Sequence, residues 1–314
     1  MSRSFVLALA LALVPSACGD AAAPGGGAVQ ALAEAPPAPD ARRVLPASAR
    51  GIEFLADLIG PERIAGLPEQ GFEYATLGAA EEEWGALPRF TTYLAEPVLA
   101  LDPDLVLCDP WQSVDTNQRL AEAGVRVVLV PDTVSWGDGV RVLEELGRVL
   151  GVEARAAEVA ADLERRVAAL AERTAARGPL RALCYSNFGS QGFSAGSDTT
   201  IDEILRLAGL VNAAAQAGRR GHVTLSFEEL IRLDPDVIVV STPLHTDVGH
   251  AGDRGGASRG VLESEPSLAG LRAVRERRIV GLPPGLFACA SQRVVDAAEV
   301  LVGELERLES EAGR

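Results

Sequence analysis

EPVLALDPDLVL, residues 96–107, returns 132 residues later as EELIRLDPDVIV, residues 228–239. Each copy reads as a short helix stopped by a proline, Pro103 or Pro235, that delivers the chain into an apolar run. Proline ends the helix because it has no N–H to donate and its ring clashes with the turn before it. The run that follows does not alternate with polar residues, so it suits a strand buried on both faces of a parallel sheet. A unit that recurs at this distance makes the chain an internal duplication.

The surroundings repeat as well. Strands are expected at 43–45 and 181–185, each followed by a loop and a helix, 51–59 and 200–208. After the shared motif, a helix at 119–124 leads to the strand VRVVLV at 125–130, and a helix at 268–275 leads to RIVGL at 278–282. Strands alternating with helices build βαβ units, so the fold class is α/β with two doubly wound, Rossmann-like lobes. Between them, Val140, Leu143, Leu146 and Leu150, then Val159, Leu163, Val167 and Leu170, keep helical spacing. Gly151 interrupts that pattern, which predicts a shorter helix and then a long one of about 25 residues. A long helix between lobes is stiffer than strand crossovers and should restrict hinge opening. A final helix is expected at 291–309.

The N-terminus reads as an address. Arg3, an uncharged and mostly apolar run over 5–14, and Pro15-Ser16-Ala17-Cys18 form a secretory signal pattern. The run is shorter than the about 20 apolar residues a membrane span needs. Ser16-Ala17-Cys18 also looks like a bacterial lipobox, with Cys18 as the lipidated first residue. Pro15 stands where that pattern usually has Leu, and plain signal cleavage is the alternative. The Ala-, Pro- and Gly-rich stretch that follows has no hydrophobic period and reads as a flexible tether. The expected organisation is therefore signal 1–17, tether 18–41, first lobe 42–138, linker helices 139–178, second lobe 179–289 and closing helix 290–314.

Composition removes several function classes. The 314 residues are 47% hydrophobic and 23% charged, ordinary for a globular chain with about two domains. A net charge of −15 argues against a nucleic-acid surface, which needs clustered cations. All 29 basic residues are arginine. Without lysine there is no P-loop GK[ST], no pyridoxal Schiff base and no kinase-type phosphate lysine. Cys108, Cys184 and Cys289 form no CxxC pair and sit beside apolar residues, as buried core thiols do.

The stretches RRVLPASARGIEFLADLIGPERIAGL, EPVLALDPDLVL, GSDTTIDEILRLAGLVNAAA and LSFEELIRLDPDVIVVSTP, in this order behind a lipoprotein-like signal, carry a resemblance. The chain resembles the solute-binding proteins of ABC importers for ferric siderophores, heme or cobalamin, over about residues 42–310. The resemblance implies the class III periplasmic binding protein architecture, two lobes on one backbone helix. It also implies no chemistry and no cofactor of its own, a metal chelate as cargo, a membrane permease with its ATPase as partner, and a monomer. In that family a surface Glu on each lobe docks onto permease arginines; Glu96 and Glu228 match by position. Two separated carboxylates suit guanidinium forks. Acids favoured at helix N-termini, with Ser226 as a nearby cap, are the alternative, and Glu229 adjoins Glu228.

Ligands of open α/β sheets bind outside the carboxyl ends of the strands, so two facing lobes share one cleft. Loops of the first lobe offer Tyr74, Trp84, Phe90, Tyr93 and Trp111, five of the chain's fourteen aromatics. Such faces suit a macrocycle or a catecholate, though Trp84 and Phe90 could instead cover the lobe's core. The second lobe offers the three histidines, His222, His245 and His250, beside Asp247 and Asp253. His222 precedes Glu228 by six residues as Phe90 precedes Glu96, which predicts equivalent cleft positions. Imidazoles and carboxylates could coordinate a metal, hydrogen-bond a chelate's edge, or simply solvate a Gly-rich loop. Arg50, Arg89, Arg219, Arg220 and Arg254 could meet ligand oxyanions.

Two rivals follow from the same residues. Gly192-Phe-Ser194-Ala-Gly196 spells the G-x-S-x-G of a serine hydrolase, but the expected strand ends before it and the next helix starts late. A receptor for bare Zn or Mn would need His, Asp or Glu ligands from both lobes, and the first lobe has no His.

Overall fold

The computed structural model describes residues 28–187, 192–242 and 255–312. The first lobe contains strands β1 (Val29–Ala31), β2 (Val44–Pro46), β3 (Leu67–Pro68), β4 (Arg89–Phe90), β5 (Leu105–Cys108) and β6 (Arg126–Leu129). Four of them form a parallel sheet in the order β1-β6-β5-β2. A bridge from Val44 to Ile64 leads on to the parallel β3–β4 pair. The second lobe contains β7 (Leu180–Cys184), β8 (Ser186–Asn187), β9 (Gly192–Ala195), β10 (Leu210–Asn212), β11 (His222–Leu225), β12 (Val237–Ser241) and β13 (Ile279–Leu282). Its main sheet is parallel, β10-β7-β12-β13, and β11-β9-β8 form a separate antiparallel sheet.

The repeated motif works the same way in both lobes. Its helices are Ala95–Leu99 and Phe227–Leu233, and its strands are β5 and β12. Leu105 and Leu107 of β5, and Val237 and Val239 of β12, enter one large core, whereas Val106, Cys108, Ile238 and Val240 enter the smaller cores on the opposite faces. Burial on both faces is what the unbroken apolar runs predict. The first Asp of each DPD, Asp102 and Asp234, takes the left-handed backbone (φ +45° and +37°) that turns the chain before the proline. The second Asp clamps the lobe's opening strand. Asp104 accepts the Arg42 and Arg43 amides (2.7 and 3.1 Å), and Asp236 accepts the Arg181 amide (2.8 Å). The same arginines then cap the motif's end: Arg43 donates to the Leu101 and Asp102 carbonyls, Arg181 to those of Leu233 and Asp234.

The connection is a helix pair, Trp136–Leu150 and Glu153–Thr174. Ser135 and Asp138 make a capping box at its start. Gly151 (φ +67°) separates the two, and a Cβ there would lie 2.5 Å from Pro39. The longer helix has 22 residues and spans about 33 Å at 1.5 Å per residue. Arg166 and Arg173 tie it by ion pairs to Asp296, Glu299 and Glu306 of the closing helix, Val294–Ala312, and Arg177, just past its end, pairs with Glu309. Leu143, Leu146, Leu163 and Leu170 join Phe54 and Leu55 of the first lobe and Ile204 and Leu205 of the second in the same core. Wide opening would expose that apolar seam to water, which is unfavourable.

The stretch expected as tether differs from expectation in its described part. β1 pairs with β6 at the sheet edge, and Leu32, Ala35, Ala38 and Ala41 are buried. Arg148 donates to the Leu32 and Ala35 carbonyls (3.0 and 2.7 Å), and Val149 accepts the Ala38 amide (2.6 Å). Small side chains without a period pack here because they lie flat against a linker helix. Cys108, Cys184 and Cys289 are free and buried.

Candidate functional site

The carboxyl ends of β2, β3, β4 and β5 open into a concavity of about 370 Å³. Ser48, Glu69, Gln70, Tyr74, Phe90, Thr91, Tyr93 and Gln112 line it. Ser48 caps the helix Ala49–Leu58 by accepting the Gly51 amide (3.2 Å). Gly71 permits the close approach of the next helix: a Cβ there would sit 2.9 Å from the Ala49 nitrogen. Gln112 donates to the Ala47 carbonyl (3.0 Å), and the Tyr93 hydroxyl donates to Asn117 (2.7 Å). Burial, with Cys108 and Asp109 nearby, holds the Tyr93 phenol well above its ordinary pKa, so it remains neutral.

A smaller hollow of about 120 Å³ continues from Ser48, Ala49 and Tyr74 to the base of the cleft. There Arg50, Glu53 and Trp111 of the first lobe face Gly285, Ala288, Cys289 and Ala290 of the second. Trp111 is 58% exposed, with the Arg50 guanidinium 4.8 Å from its ring centroid. Arg50 itself is buried: it pairs with Asp109 and donates to the Val130 and Pro131 carbonyls (3.0 and 2.8 Å). It therefore holds the ring and is not a free cation for a ligand.

Glu53 is 1% exposed. Its carboxyl accepts the Thr76 amide (2.8 Å) and the Ser291 hydroxyl (2.6 Å), and Gln292 donates to its backbone carbonyl (2.8 Å). Beside it Arg293 pairs with Asp57 (2.8 Å) and Asp296 (3.3 Å). Burial pushes Glu53 up to about 7 against the lowering by Ser291, Thr76 and Arg293. Residues 291–293 thus lock the base of the first lobe to the segment leading out of the second.

The second lobe presents a counterpart of about 420 Å³, lined by Gly192, Thr224, Leu225, Ser226, Phe227, Glu228 and Glu229. Residues 224–228 are the repeat equivalents of 92–96.

Of the predicted aromatics, Tyr74, Tyr93 and Trp111 line these hollows, whereas Phe90 only borders the larger one: it is 5% exposed and packs in the first lobe's smaller core, the alternative the sequence left open. Trp84 lines neither. It is 1% exposed in the main core, on the short helix Glu81–Gly85, and its indole fills the lobe beneath the cleft. The predicted equivalence of Phe90 and His222 also fails. Phe90 ends a strand paired in parallel with β3, whereas His222 is exposed at the start of β11, paired antiparallel with β9. His222 lines none of the hollows described above. His245, His250, Asp247, Asp253, Arg254 and Cys18 lie outside the described residues. Among the described residues no group of three or more His, Cys, Asp or Glu could hold a metal ion.

Glu96 and Glu228 are both exposed, at the first turns of their helices. Glu229 is engaged by Arg219 and by the Ser226 amide (3.2 Å). Ser194 sits within β9, buried, its hydroxyl donating to the Cys184 carbonyl (2.7 Å). A mid-strand serine so placed is no nucleophile elbow. Sequence reasoning missed Ser48, Gln112 and Glu53. A lone acid among Ile52, Phe54 and Leu55 was the available signal for the last.

Two parallel-sheet lobes on a stiff helical spine, with a hollow at the carboxyl ends of the first lobe's strands and another beside β11 in the second, define a two-lobed binding protein. The chain belongs to the periplasmic binding protein family, whose model matches residues 87–286. It is 30% identical to a cobalamin-binding protein of Halobacterium salinarum over 198 residues, 63% of this chain and 53% of that one. It is 25% identical to YvrC of Bacillus subtilis, an uncharacterized ABC transporter substrate-binding lipoprotein, over 212 residues, 66% of this chain and 63% of that one. The chain thus spans a half to two thirds of these relatives. A periplasmic heme-binding protein from Pseudomonas aeruginosa superposes with a TM-score of 0.69 at 27% identity, covering 84% of this chain and 92% of the other. These are binding proteins, not enzymes. Among the described residues no helix is long and apolar enough to cross a membrane.

Proposed function

We propose that this protein is the capture component of an ABC importer for a metal chelate, a ferric siderophore, a corrinoid or heme, acting as a monomer outside the cytoplasm with Cys18 as its lipid anchor. The observation that carries this is the run of aromatics Tyr93, Tyr74 and Trp111 along two adjoining hollows at the carboxyl ends of the first lobe's strands, the smaller of which is closed by residues of the second lobe. Flat or ringed cargo gains from such faces, while the hydroxyls and amides between them orient it. The names of the relatives, for cobalamin, heme and ABC transport, agree in class.

Capture needs no bond-making. The chelate fills the cleft, the lobes close slightly over it, and the continuous core and the Glu53–Ser291 lock limit that motion. Glu96 and Glu228, exposed one on each lobe, then seat the loaded protein on arginines of the permease. The test is a fluorescence and equilibrium-dialysis titration with chelates of each kind. Saturable binding of one kind is expected, weakened about tenfold or more in Tyr74→Ala. No saturable binding of any chelate overturns the proposal.

A further inference from the structure

The two repeated helices, Ala95–Leu99 and Phe227–Leu233, match where they turn to solvent as well as where they pack. Val98 and its equivalent Leu230 are buried in the smaller cores of their lobes. Glu96 and Glu228 are exposed, and one helical turn on so are Leu99 (36%) and Ile231 (44%). Residues at i and i+3 share a helix face, so each lobe shows an acid beside an aliphatic side chain. The next position is exposed in both lobes too, and there the copies have diverged, Ala100 against Arg232. One exposed Leu is ordinary on any protein surface. The same acid–aliphatic pair, kept twice by a duplication whose neighbouring positions have changed, asks for a partner.

We propose that Leu99 and Ile231 are the anchors of permease docking, each entering an apolar depression beside the arginine that receives the neighbouring Glu. This rests on the docking of Glu96 and Glu228 proposed above and assigns the holding force to different residues. A footprint that an internal repeat presents twice fits a partner that offers the same depression twice, as two like subunits do. The division of labour follows from the physics of the two groups. An exposed carboxylate–guanidinium pair is screened by salt and acts mainly on the rate of encounter. Burying a Leu or Ile that the free protein leaves in water is favourable at any ionic strength, and its loss shows in dissociation. Neither side chain lines a hollow described above, so the anchors leave capture alone.

The test is surface plasmon resonance of the intact protein over proteoliposomes of its permease and ATPase, at low and at high salt. Leu99→Gln with Ile231→Gln keeps helix propensity and removes both anchors. This pair should dissociate about tenfold faster than the native protein at either salt. Glu96→Gln with Glu228→Gln should instead associate more slowly at low salt, and the native on-rate should fall to theirs at high salt. Leu99→Ile with Ile231→Leu should bind as the native protein does. Val300→Ser, at an equally exposed apolar residue of the closing helix outside the repeat, should change neither rate. Dissociation of the anchor pair at the native rate, with the Glu pair still impaired, overturns the anchors and leaves carboxylate docking intact. An equal loss in Val300→Ser overturns them as well, since any exposed apolar group would then serve. No binding of the native protein to the proteoliposomes overturns both.

Discussion

The two lobes share a chassis and differ at the face they present. In each, a DPD triplet turns through a left-handed Asp and clamps the opening strand with its second carboxylate, while an arginine from that strand caps the carbonyls in front. Beyond this the duplication diverges. The first lobe extends its sheet with the parallel β3–β4 pair and lines its hollow with aromatics and neutral amides. The second builds an antiparallel β11-β9-β8 sheet and an acidic hollow. Backbone polar groups must be satisfied wherever the chain turns, so the clamp is preserved; the cleft face carries no such obligation and is free to specialise.

The largest expected effect concerns the exposed acid that each lobe keeps in the first turn of its repeated helix. Reversing both Glu96→Arg and Glu228→Arg should abolish uptake into cells; Glu96, which lines none of the hollows, should leave the chelate affinity unchanged when reversed alone, whereas Glu228 borders the second lobe's hollow. The single reversals sharpen the comparison. Glu229 stands next to Glu228, but Arg219 and the Ser226 amide already hold its carboxylate. It cannot stand in, so Glu228→Arg alone should reduce uptake as much as Glu96→Arg does, about tenfold or more each. A mild Glu228 phenotype beside a severe Glu96 one would break the symmetry of docking.

Next in size is the place where the lobes meet. Glu53 has a folded pKa of about 7 against an ordinary 4.5. Its pKa is raised, so the folded state favours the protonated form. That contribution to stability is complete below pH 4.5 and is lost as pH rises through about 7. The facing groups are Arg293, Asp57, Asp296 and Cys289, whose thiol is itself pushed well up by burial. The loss amounts to about 3 kcal/mol at neutral pH and above. Glu53→Gln keeps an acceptor for Thr76 and a partner for Ser291, and removes the titration. Chemical denaturation from pH 4 to 8 should show a downward slope in the native protein that the variant lacks. Parallel slopes would show that Glu53 does not titrate in this window.

The duplication was legible because its signals are local: two prolines and two unbroken apolar runs determine helix ends and strand burial wherever they stand. The linker was legible for the same reason, from its apolar spacing and Gly151. The short β1 was not, because Val29-Gln-Ala31 has no pattern of its own and exists only by pairing with β6, nearly a hundred residues away. Trp84 and Trp111 show the limit at the site. Both lie in short, turn-rich segments, yet one fills the core and the other is held outward by Arg50. That difference is made by distant packing, which residue type does not encode. His222 was misplaced by trusting the repeat past the point where the strands stop pairing alike.

The smallest expected effect tests the shared clamp where the lobes should differ only in degree. Asp104 is exposed and accepts two strand amides. Asp236 is 8% exposed, accepts the Arg181 amide and pairs with Arg272. Burial raises its pKa, but the Arg181 amide and the Arg272 guanidinium outweigh that and hold it below the usual carboxylate value. Removing a partly screened acceptor should cost about 1 kcal/mol, whereas removing a buried, ion-paired one should cost about 2 kcal/mol and leave the half-exposed Arg272 with only its 3.7 Å contact to Asp234. Denaturation of Asp104→Ala and Asp236→Ala at pH 7 reads both. A depressed pKa gives stability present above the ordinary value and lost as pH falls through the folded one, so the gap between the variants should close below about pH 3.8. Equal losses at pH 7 would mean that the strand amides alone carry the clamp, and that Arg272 adds nothing which water does not already provide.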